Sequence, residues 1–359
     1  MHRLRVIGRH DMFSGHPAWK RLAAKSAMAL LWPIGSLTTA IRCGLEQKAA
    51  PSRILDAWLL AVHYNIPPLE YFLYKLWLPE RRARLDDYLY WTENTSSLMV
   101  LNRAAGWCPG PCPVSDKQLF DTFCTRLGLR APSLLAVWNS GQQEEGGSVP
   151  RRDLWLKPAR TKSGIGAERW IWVDGTYRRR DRVLQRSQME AHIAGHSRTH
   201  GKTLVQTVVK ANKEHIPYVG ETPLCARIVT GRRHDGSVEI IAAAVVWPRP
   251  GSEVTQGGDM ALIETSSGRI CEIHEATQTS ASRGLEGKIL PDWQYVLAVV
   301  RKGHTNLPHY VFLGWDVAFG DDGPLLLETN SGWGSLHLQM MTGRPIADTA
   351  FASIAAEYV

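Results

Sequence analysis

The chain has 359 residues, 44% of them hydrophobic and 21% charged, and it carries a formal net charge of +8. This composition excludes a collagen-like, coiled-coil or wholly disordered chain, and the length suffices for a large core in roughly two or three domains. The basic surplus favours partners such as nucleotides, anionic glycans, nucleic acid or a membrane surface, but it does not select among them.

The cysteines and the N-terminus predict a cytoplasmic protein. Six cysteines are too few for the disulfide framework of a secreted protein. Two of them, Cys108 and Cys112, flank Pro-Gly-Pro, but no second Cys or His pair stands at zinc-binding spacing, so we interpret them as reduced thiols near a turn. The start of the chain is basic, but no unbroken apolar stretch follows it directly as in a signal peptide.

The first part of the chain, residues 1–104, is predicted to be helical. Its longest apolar run, residues 27–41, is shorter than the about 20 residues of a membrane-spanning helix, and Pro33 and Gly35 interrupt it. We expect this run to form a buried helix; contact with a membrane surface, as in a peripheral membrane protein, is the alternative. In residues 54–62 apolar side chains recur at helical spacing, and the prolines that follow end that helix.

An aromatic segment follows these helices. Tyr71, Phe72, Tyr74 and Trp77 lie close together in it. Aromatic stripes at helical spacing usually pack inward, so we expect these side chains to form a core; the wall of an acceptor site is the alternative. The whole N-terminal region is more typical of a helical cap than of a catalytic core.

The rest of the chain is predicted to combine strands with a few helices. Residues 106–113 are rich in Pro and Gly and form a linker, and the next helix has Ser115 as its expected N-cap and Gly128 as its C-terminal stop. Residues 139–150 are predicted to be a polar loop. The charge cluster at residues 178–186 is predicted to be a solvated face or turn, with polyanion binding as the alternative. The succession of strands, hairpin-like pairs and occasional helices predicts an α+β fold. The predicted strands are residues 134–138, 154–157, 170–173, 204–209, 224–230, 239–247, 260–264, 310–319 and 325–329, and the further predicted helices are residues 183–195, 293–302 and 345–356.

A lysine and a glycine-containing loop form the first candidate site. An apolar strand ends in Lys157, and the loop after it contains Lys162, Ser163, Gly164 and Gly166. Glycines let backbone N–H groups approach phosphate oxygens, and a lysine supplies compensating charge. The lysine precedes the glycines, so this is not the usual P-loop. A phosphate-binding loop and an ordinary hairpin loop both remain open.

Two strands near the C-terminus carry the second candidate site. Asp316 and Glu328 lie on strands that a short Gly-Asp-Asp-Gly turn would pair as a hairpin. Glu328 and Asn330 are two residues apart and therefore share one face of the sheet, with Asp316 beside them across the ladder. The apolar neighbours predict burial, where unpaired carboxylates are costly. We therefore expect a Mg²⁺ site, because Mg²⁺ binds a few carboxylates and completes its shell with water and phosphate oxygens; an exposed polar face is the alternative.

These two sites belong to a longer series of motifs. Its members are SDKQLF (115–120), LWLKPARTKSGIG (154–166), TLVQTVVKANKEHI (203–216), CARIVTG (225–231), VTQGGDMALIE (254–264), LPDWQYVLAVVRKGHTNLP (290–308) and GWDVAFGDDGPLLLETNSGWG (314–334). In this order the motifs resemble the ATP-grasp superfamily and, more narrowly, the sugar-transfer-associated ATP-grasp proteins. The resemblance extends over about residues 50–345, and its last segment is the most specific.

The resemblance implies a fold in which two α+β subdomains clasp ATP, preceded by a mostly helical N-terminal region. It assigns the helical region to residues 1–104 and the ATP-grasp domain to residues 105–359. Within that domain, residues 105–212 would form the N-terminal and lid subdomain, and residues 213–359 the metal-binding subdomain.

The resemblance also implies an ATP site between the subdomains. Two lysines would contact the nucleotide, the glycine loop would be a lid over its phosphates, and the strand at residues 204–209 would meet the adenine. The nearest acidic residue after that strand is the candidate for the ribose. The residues assigned to ATP in this way are Lys117, Lys157, Lys162, Ser163, Gly164, Gly166, Gln206, Val208 and Glu214.

Catalytic and metal residues follow from the same resemblance. Arg227, together with Lys157, is expected to stabilise the transferring phosphoryl group, where a fixed positive charge helps most. Asp316, Glu328 and Asn330 are expected to hold two Mg²⁺ ions, or Mn²⁺ in their place. The ions would bridge phosphate oxygens and offset the charge that develops during transfer.

The implied reaction is an ATP-dependent ligation that releases ADP. A carboxylate would attack the γ-phosphate to give an acyl phosphate, and an amine, less often a thiol or hydroxyl, would then displace phosphate. The expected substrates are a cell-surface glycan precursor of polysaccharide biosynthesis, a peptide or an amino acid derivative. His304 matches a recurrent histidine of the narrower family, and both a structural role and a substrate contact stay open for it.

Two other functions fit the same residues. The protein could be a kinase-like enzyme with a hydroxyl acceptor, or a nucleotide-binding regulatory protein without turnover. Nucleic-acid binding is not expected, because no recognition motif is present and the Lys and Arg residues are spread along the chain.

Overall fold

The computed structural model of the chain describes residues 18–161, 164–247, 252–253, 258–273 and 282–359. Its N-terminal part is helical, as predicted. The helices are α1 (Ala18–Glu46), α2 (Pro51–Tyr64), α3 (Pro68–Leu73), α4 (Pro79–Arg82) and α5 (Trp91–Ala104), with a 3₁₀ turn at Leu85–Asp87.

Indole groups and buried aromatic rings hold these helices together. Nε1 of Trp32 on α1 donates to the carbonyl oxygen of Ala61 on α2 at 2.8 Å. Between these helices, the side chains of Tyr71, Phe72 and Tyr74 are almost completely buried in one hydrophobic core. The aromatic segment therefore forms a core, which confirms the prediction for it, and Trp77 packs at the edge of that core.

The prediction that residues 27–41 form a buried helix is wrong about burial. The run is helical, but Leu30 is 73% exposed and Ile34 is 66% exposed. The cause is that the described side chains of α1 pack on one side of the helix, where Ala40 and Cys43 are buried. No helix of the described residues is long and apolar enough to cross a membrane.

The first sheet is antiparallel and has the strand order β2-β1-β7-β3-β4-β5-β6. Helix α6 (Lys117–Leu127) precedes this sheet in the chain, and α7 (Arg186–His200) connects β6 to β7. The strands are β1 (Leu134–Asn139), β2 (Gln142–Gly146), β3 (Leu154–Pro158), β4 (Glu168–Val173), β5 (Thr176–Arg179), β6 (Arg182–Leu184) and β7 (Thr203–Thr207).

Three local predictions in this half are wrong. Residues 139–150 are not a plain loop, because the chain turns back and pairs as β2 with β1. The helix predicted from residue 183 begins three residues later, because the first of those residues pair as β6 with β5. The N-cap of α6 is Asp116 rather than Ser115, since Oδ1 of Asp116 accepts the N–H groups of Gln118 at 3.0 Å and Leu119 at 3.3 Å.

The second sheet is also antiparallel, with the order β11-β10-β9-β8-β12-β13. Its strands are β8 (Cys225–Arg232), β9 (Val238–Trp247), β10 (Asp259–Ile263), β11 (Ile270–Ile273), β12 (Phe312–Gly320) and β13 (Gly323–Asn330). The helices of this half are α8 (Ile216–Val219), α9 (Trp293–Thr305), α10 (Ser335–Thr342) and α11 (Phe351–Ala356), with 3₁₀ turns at Ser282–Leu285 and Ile346–Asp348.

Both faces of the second sheet are covered. One face packs against α6 and α9, where Phe120 and Val300 belong to the same core as Trp315. The other face packs against α5, α10 and α11, where Leu101 and Phe351 share a core with Phe312. The N-terminal helices are therefore joined to the second sheet, and the architecture is the predicted α+β arrangement with a helical N-terminal region.

Candidate active site

Three charged side chains stand in a row across the second sheet. Arg227 on β8 lies directly opposite Asp316 on β12, and Asp316 lies directly opposite Glu328 on β13. Asn330 follows Glu328 by two residues and shares its face of the strand. A β-bulge after Asp316 shifts the register of the hairpin at this point. The hairpin expected from the sequence therefore forms, and it brings the three predicted metal ligands together.

Hydrogen bonds connect the side chains of this row. Nε of Arg227 donates to Oδ1 of Asp316, and Nη2 donates to Oδ2 at 2.9 Å. Nη1 of Arg227 donates to the carbonyl oxygen of Trp333 at 3.1 Å. Nδ2 of Asn330 donates to Oε1 of Glu328 at 3.1 Å and to Oδ2 of Asp316 at 3.5 Å. The bidentate pair and the carbonyl together fix the plane of the guanidinium.

A glycine allows the loop after β13 to lie against β12 here. A Cβ built on Gly314 would lie 2.5 Å from Cβ of Trp333 and 3.2 Å from Cδ of Arg227. A side chain at this position would therefore force Trp333 to move. The carbonyl that holds Arg227 is therefore positioned by a contact of the backbone that sequence analysis missed, and its only signal is the glycine itself.

Two lysines reach this row from the other half of the molecule. Nζ of Lys117, the first residue of α6, lies 3.3 Å from Oε2 of Glu328 and donates to the carbonyl oxygen of Thr161 at 2.7 Å. Nζ of Lys157, on β3, donates to the carbonyl oxygen of Leu327 at 3.5 Å. Both ammonium groups thus lie at the junction of the two sheets, beside the strand that carries Glu328.

The groups of the site shift one another's pKa values. Burial lowers the pKa of Lys157 to about 8, although the charge of Glu328 opposes this shift. Burial also raises the pKa of Asp316, against the effect of Arg227. Burial acts to raise the pKa of Glu328, but the charge of Lys117, the hydrogen bond from Asn330 and the charge of Lys157 together hold that pKa below its usual value. An anionic ligand at this place would favour the charged form of Lys157.

The donor set suits a hard cation such as Mg²⁺. Asp316, Glu328 and Asn330 offer carboxylate and amide oxygens within one hydrogen-bonded group, and these are donors that Mg²⁺ prefers. No three or more His, Cys, Asp or Glu side chains of the described residues are grouped so that they could hold a metal by themselves. Water and phosphate oxygens would therefore have to complete the shell, as is usual for Mg²⁺ at nucleotide sites. Because Arg227 pairs with Asp316, a metal at Asp316 would have to share or loosen that pair.

The glycine loop of the first sheet is described in part. Lys162 and Ser163 lie outside the described residues. Gly164 and Gly166 have left-handed backbone conformations, with φ of 69° and 76°, which other residues adopt only with strain. Oγ1 of Thr161 donates to the carbonyl oxygen of residue 165 at 2.9 Å, which closes the loop locally.

Three histidines of α7 contact the end of this loop, and sequence analysis missed them. Nε2 of His196 donates to the carbonyl oxygen of Gly166 at 2.7 Å, and Nε2 of His192 lies 2.6 Å from Oε2 of Glu168. The ring of His200 lies 3.2 Å from where a Cβ on Gly166 would be. The three histidines recur at every fourth residue, which was the available signal that they share one face of a helix.

The predicted adenine side of the site includes a buried amide. Gln206 on β7 lies directly opposite Trp155 on β3. Lys157 follows Trp155 by two residues on β3, so the side chains of Gln206 and Lys157 share one face of the sheet. Nε2 of Gln206 donates to the carbonyl oxygen of Pro132 at 3.4 Å, whereas Oε1 has no hydrogen-bond partner among the described residues. An unpaired buried oxygen is costly, and an exocyclic amine such as that of adenine would satisfy it.

The other two residues predicted for adenine and ribose lie beyond the end of β7. Strand β7 ends at Thr207, so Val208 lies in the segment that connects the two sheets, and the predicted strand is two residues too long. Glu214 is exposed in a turn, where its N–H group donates to Oδ1 of Asn212 at 2.9 Å. No hydrogen bond or ion pair within the described ranges joins the carboxylate of Glu214 to the rest of the site.

His304 is a structural residue. Its side chain is completely buried, Nε2 donates to the carbonyl oxygen of Tyr310 at 2.8 Å, and Nδ1 lies 2.7 Å from Oγ1 of Thr230. Nε1 of Trp315 donates to the same hydroxyl at 2.9 Å. Both ring nitrogens are used inside the core, and burial lowers the pKa of His304 to about 4. Of the two roles left open, the substrate contact is excluded.

Solved structures with some similarity include three ligases. VanG D-Ala:D-Ser ligase from Enterococcus faecalis is 10% identical, with a TM-score of 0.41 over 69% of this chain and 62% of that chain. L-amino acid ligase from Bacillus licheniformis is 12% identical, with a TM-score of 0.39 over 69% and 48%. D-alanyl-alanine synthetase A from Vibrio cholerae is 11% identical, with a TM-score of 0.41 over 68% and 65%. The chain spans less than two-thirds of each of these proteins, and similarity this weak says nothing about its substrate.

No curated protein matches the sequence. A family profile does: residues 112–352 match the family described as sugar-transfer associated ATP-grasp. The matched part is more than half of the chain, and it contains both sheets, both lysines and the row of charged side chains. The chain therefore belongs to the sugar-transfer associated ATP-grasp family, as the order of its motifs predicted.

Proposed function

We propose that the protein is an ATP-dependent ligase that joins a carboxylate to an amine through an acyl phosphate and releases ADP. Membership of the ATP-grasp family supports ATP as the first substrate. The observation that carries the proposal is the junction of the two sheets. There the ammonium groups of Lys117 and Lys157 lie against the strand that bears Glu328, next to the pair of Arg227 and Asp316.

The charges at this junction support an exchange of partners when a nucleotide and its metal enter. Without them, Lys117 neutralises Glu328 and Arg227 neutralises Asp316. Phosphate oxygens would draw Lys117, Lys157 and Arg227 toward themselves, which frees the two carboxylates to hold the metal. Bound Mg²⁺ would supply positive charge to the phosphoryl group in transfer.

Both chemical steps need positioning and charge stabilisation rather than a protein nucleophile. An oxygen of the substrate carboxylate attacks the γ-phosphorus, the bond to the β,γ-bridging oxygen breaks, and ADP leaves. The nitrogen of the amine then attacks the acyl carbon, the bond to phosphate breaks, and the nitrogen gives a proton to solvent. Arg227, whose Nη1 is held by the carbonyl oxygen of Trp333, offers a positioned positive charge for the first step.

The proposed substrates are an acid and an amine from a cell-surface glycan precursor, with a peptide or an amino acid derivative as the other choices. The family description supports the glycan setting. The proposed compartment is the cytoplasm, where ATP is plentiful, and all six cysteines are unpaired, as suits a reducing environment.

The test measures ADP and phosphate release by the full-length protein with ATP, Mg²⁺ and a panel of acid–amine pairs. We expect turnover by the wild type and a loss of about 100-fold or more in Glu328→Gln, because the amide keeps the shape of the side chain but removes its charge. The matched control is Glu264→Gln, an exposed carboxylate next to β10, which lies four strands from β13 in the same sheet.

Each other outcome separates one of the remaining functions. ATP binding without turnover across the panel would contradict the ligase and leave a nucleotide-binding regulatory protein. A phosphorylated product without free phosphate would identify a kinase acting on a hydroxyl group. Equal loss in the two glutamine variants would contradict the assignment of Glu328.

A further inference from the structure

The N-terminal helices present an apolar face to solvent. Large apolar side chains are exposed along α1 at helical spacing, and a second series follows on α2. The exposed fraction is 73% for Leu30, 66% for Ile34 and 69% for Leu45. The members of this apolar face are Leu30, Leu31, Ile34, Leu37, Ile41 and Leu45 on α1 and Leu55, Leu59 and Val62 on α2.

The apolar face lies opposite the packed side of each helix. Among the described side chains of α1, those of Ser36, Ala40 and Cys43 are buried, and Ile34 and Ile41 lie about half a turn away from them on a 3.6-residue helix. The indole N–H of Trp58 donates to the carbonyl oxygen of residue 33 at 2.9 Å and ties the inner sides of α1 and α2 together. Among the described residues the apolar face therefore contributes little to the packing that holds these helices in the molecule.

Exposed apolar side chains are concentrated in this part of the molecule. In the described part of the chain eighteen large hydrophobic residues are exposed, and ten of them lie between residues 30 and 64. Single exposed apolar side chains are normal on a protein surface, but a contiguous set indicates a contact with apolar material.

Charge is concentrated in the same part of the sequence. Residues 1–64 contain nine Lys and Arg against three Asp and Glu, which accounts for +6 of the net charge of +8. Among them Arg42, Lys48 and Arg53 are exposed on or next to α1 and α2. The partner of the apolar face must therefore tolerate or attract positive charge.

We propose that α1 and α2 bind the surface of a bilayer that contains anionic lipid. The headgroups of such a bilayer attract the basic residues, and the boundary of the acyl region accepts the apolar stripe. A second copy of the chain fits less well, because it would bring the same positive charge against itself. Since no described helix can cross a membrane, α1 lies along the surface, where its 29 residues extend for about 44 Å. The proposal is independent of the ligase activity.

The test is flotation of the full-length protein with lipid vesicles at low salt. We expect binding to vesicles of phosphatidylcholine with phosphatidylglycerol, little binding to phosphatidylcholine alone, and release at high salt, because screening weakens the attraction. The double variant Ile34→Ser/Ile41→Ser should partition about tenfold or more weakly, since it removes two apolar side chains from the contact.

The control is the double variant Val183→Ser/Ile289→Ser, whose side chains are 56% and 63% exposed outside the N-terminal helices, and which should bind like the wild type. Equal binding by the two double variants would overturn the proposal, as would absence of wild-type binding to the anionic vesicles. A lipid-free dimer that Ile34→Ser/Ile41→Ser converts to a monomer in sedimentation would assign the apolar face to a second copy instead.

Discussion

Each charged side chain of the candidate site is held by a group of opposite charge or by a carbonyl oxygen. Arg227 is paired with Asp316, and Lys117 with Glu328. Because a partly buried charge is costly without its partner, removal of one member of a pair leaves the other uncompensated. Loss of Arg227 would therefore lower stability as well as catalysis. An amide in place of Glu328 is the milder change, because it still accepts the hydrogen bond from Asn330.

His304 carries a prediction about stability that is separate from the site. At pH 7 we expect His304→Leu to lower the free energy of unfolding by about 2–4 kcal/mol, because the carbonyl of Tyr310 and the hydroxyl of Thr230 lose a buried partner. Urea unfolding at pH 7 measures this, with His63→Leu on the exposed side of α2 as the control. Equal unfolding free energies for the two variants would contradict the structural role.

The same histidine gives the stability of the wild type a pH dependence. Its folded pKa of about 4 lies below the value of roughly 6.5 expected in the unfolded chain, so its contribution is complete above pH 6.5 and is lost as the pH falls toward 4. The groups facing the ring are Thr230, the carbonyl of Tyr310 and the charge of Arg232. The difference between wild type and His304→Leu should therefore shrink by about 2 kcal/mol at pH 5. A difference that stays constant between pH 7 and pH 5 would contradict it.

At the scale of elements, the sequence predicts those helices and strands whose buried side chains form a regular apolar pattern. The central strands and the β12–β13 hairpin were predictable, because apolar runs and a Gly-Asp-Asp-Gly turn mark them. Strand β2 is polar and fully exposed, so its side chains show no alternation of apolar and polar residues that would predict a strand. It forms because Ser140 and Gly141 take the positive φ values of a tight turn. The turn before β5 did carry a signal, Asp174-Gly175, which was overlooked.

Part of the candidate site was also predictable from the sequence, and part was not. The neighbourhood of Asp316, Glu328 and Asn330 was predictable from the hairpin, because strand periodicity fixes which side chains share a face. The contact of Lys157 with the carbonyl of Leu327 was not, because it joins two sheets whose relative placement is set by packing rather than by local pattern. The exposure of α1 was predicted wrongly for a related reason: an apolar run does not tell which of its sides is packed.

The close approach of β12 and the loop after β13 gives a prediction for Gly314→Ala. The new Cβ would displace Trp333, and with it the carbonyl that holds Arg227. We expect turnover in the proposed ligase reaction to fall by about tenfold to 100-fold, since small misplacements of a charge-stabilising group are costly. The free energy of unfolding should fall by only about 1–3 kcal/mol. The control is Gly332→Ala in the same loop, where a Cβ has nothing within 4 Å. Equal turnover of the two alanine variants would show that this contact does not position Arg227.

At the scale of the whole molecule, hydrogen bonds and an ion pair connect the β12–β13 hairpin to the part of the chain that precedes the second sheet. The N–H group of Leu326 donates to the carbonyl oxygen of Arg130 at 2.9 Å, and the N–H group of Asn212 donates to that of Phe319 at 3.3 Å. Lys117 and Lys157 supply the side-chain contacts at the same junction. A ligand that binds both lysines and both carboxylates would add contacts across this junction, so nucleotide binding and the stability of the molecule should be linked.

This linkage can be measured by thermal unfolding. ATP with Mg²⁺ at about 100 times its dissociation constant should add roughly 2.7 kcal/mol, which corresponds to a rise in Tm on the order of 5 °C for a chain of this size. Lys157→Met should lose most of this rise, because the buried methylene stem is kept while the charge that we propose to meet the phosphates is removed. Lys302→Met on α9 is the matched control, since Nζ of Lys302 donates to the carbonyl oxygen of Leu127 on the surface, away from the site. An equal, full rise in Tm for Lys157→Met and Lys302→Met would show that Lys157 has no part in nucleotide binding. Absence of any rise for the wild type at every ATP concentration would show that the nucleotide site is assigned wrongly.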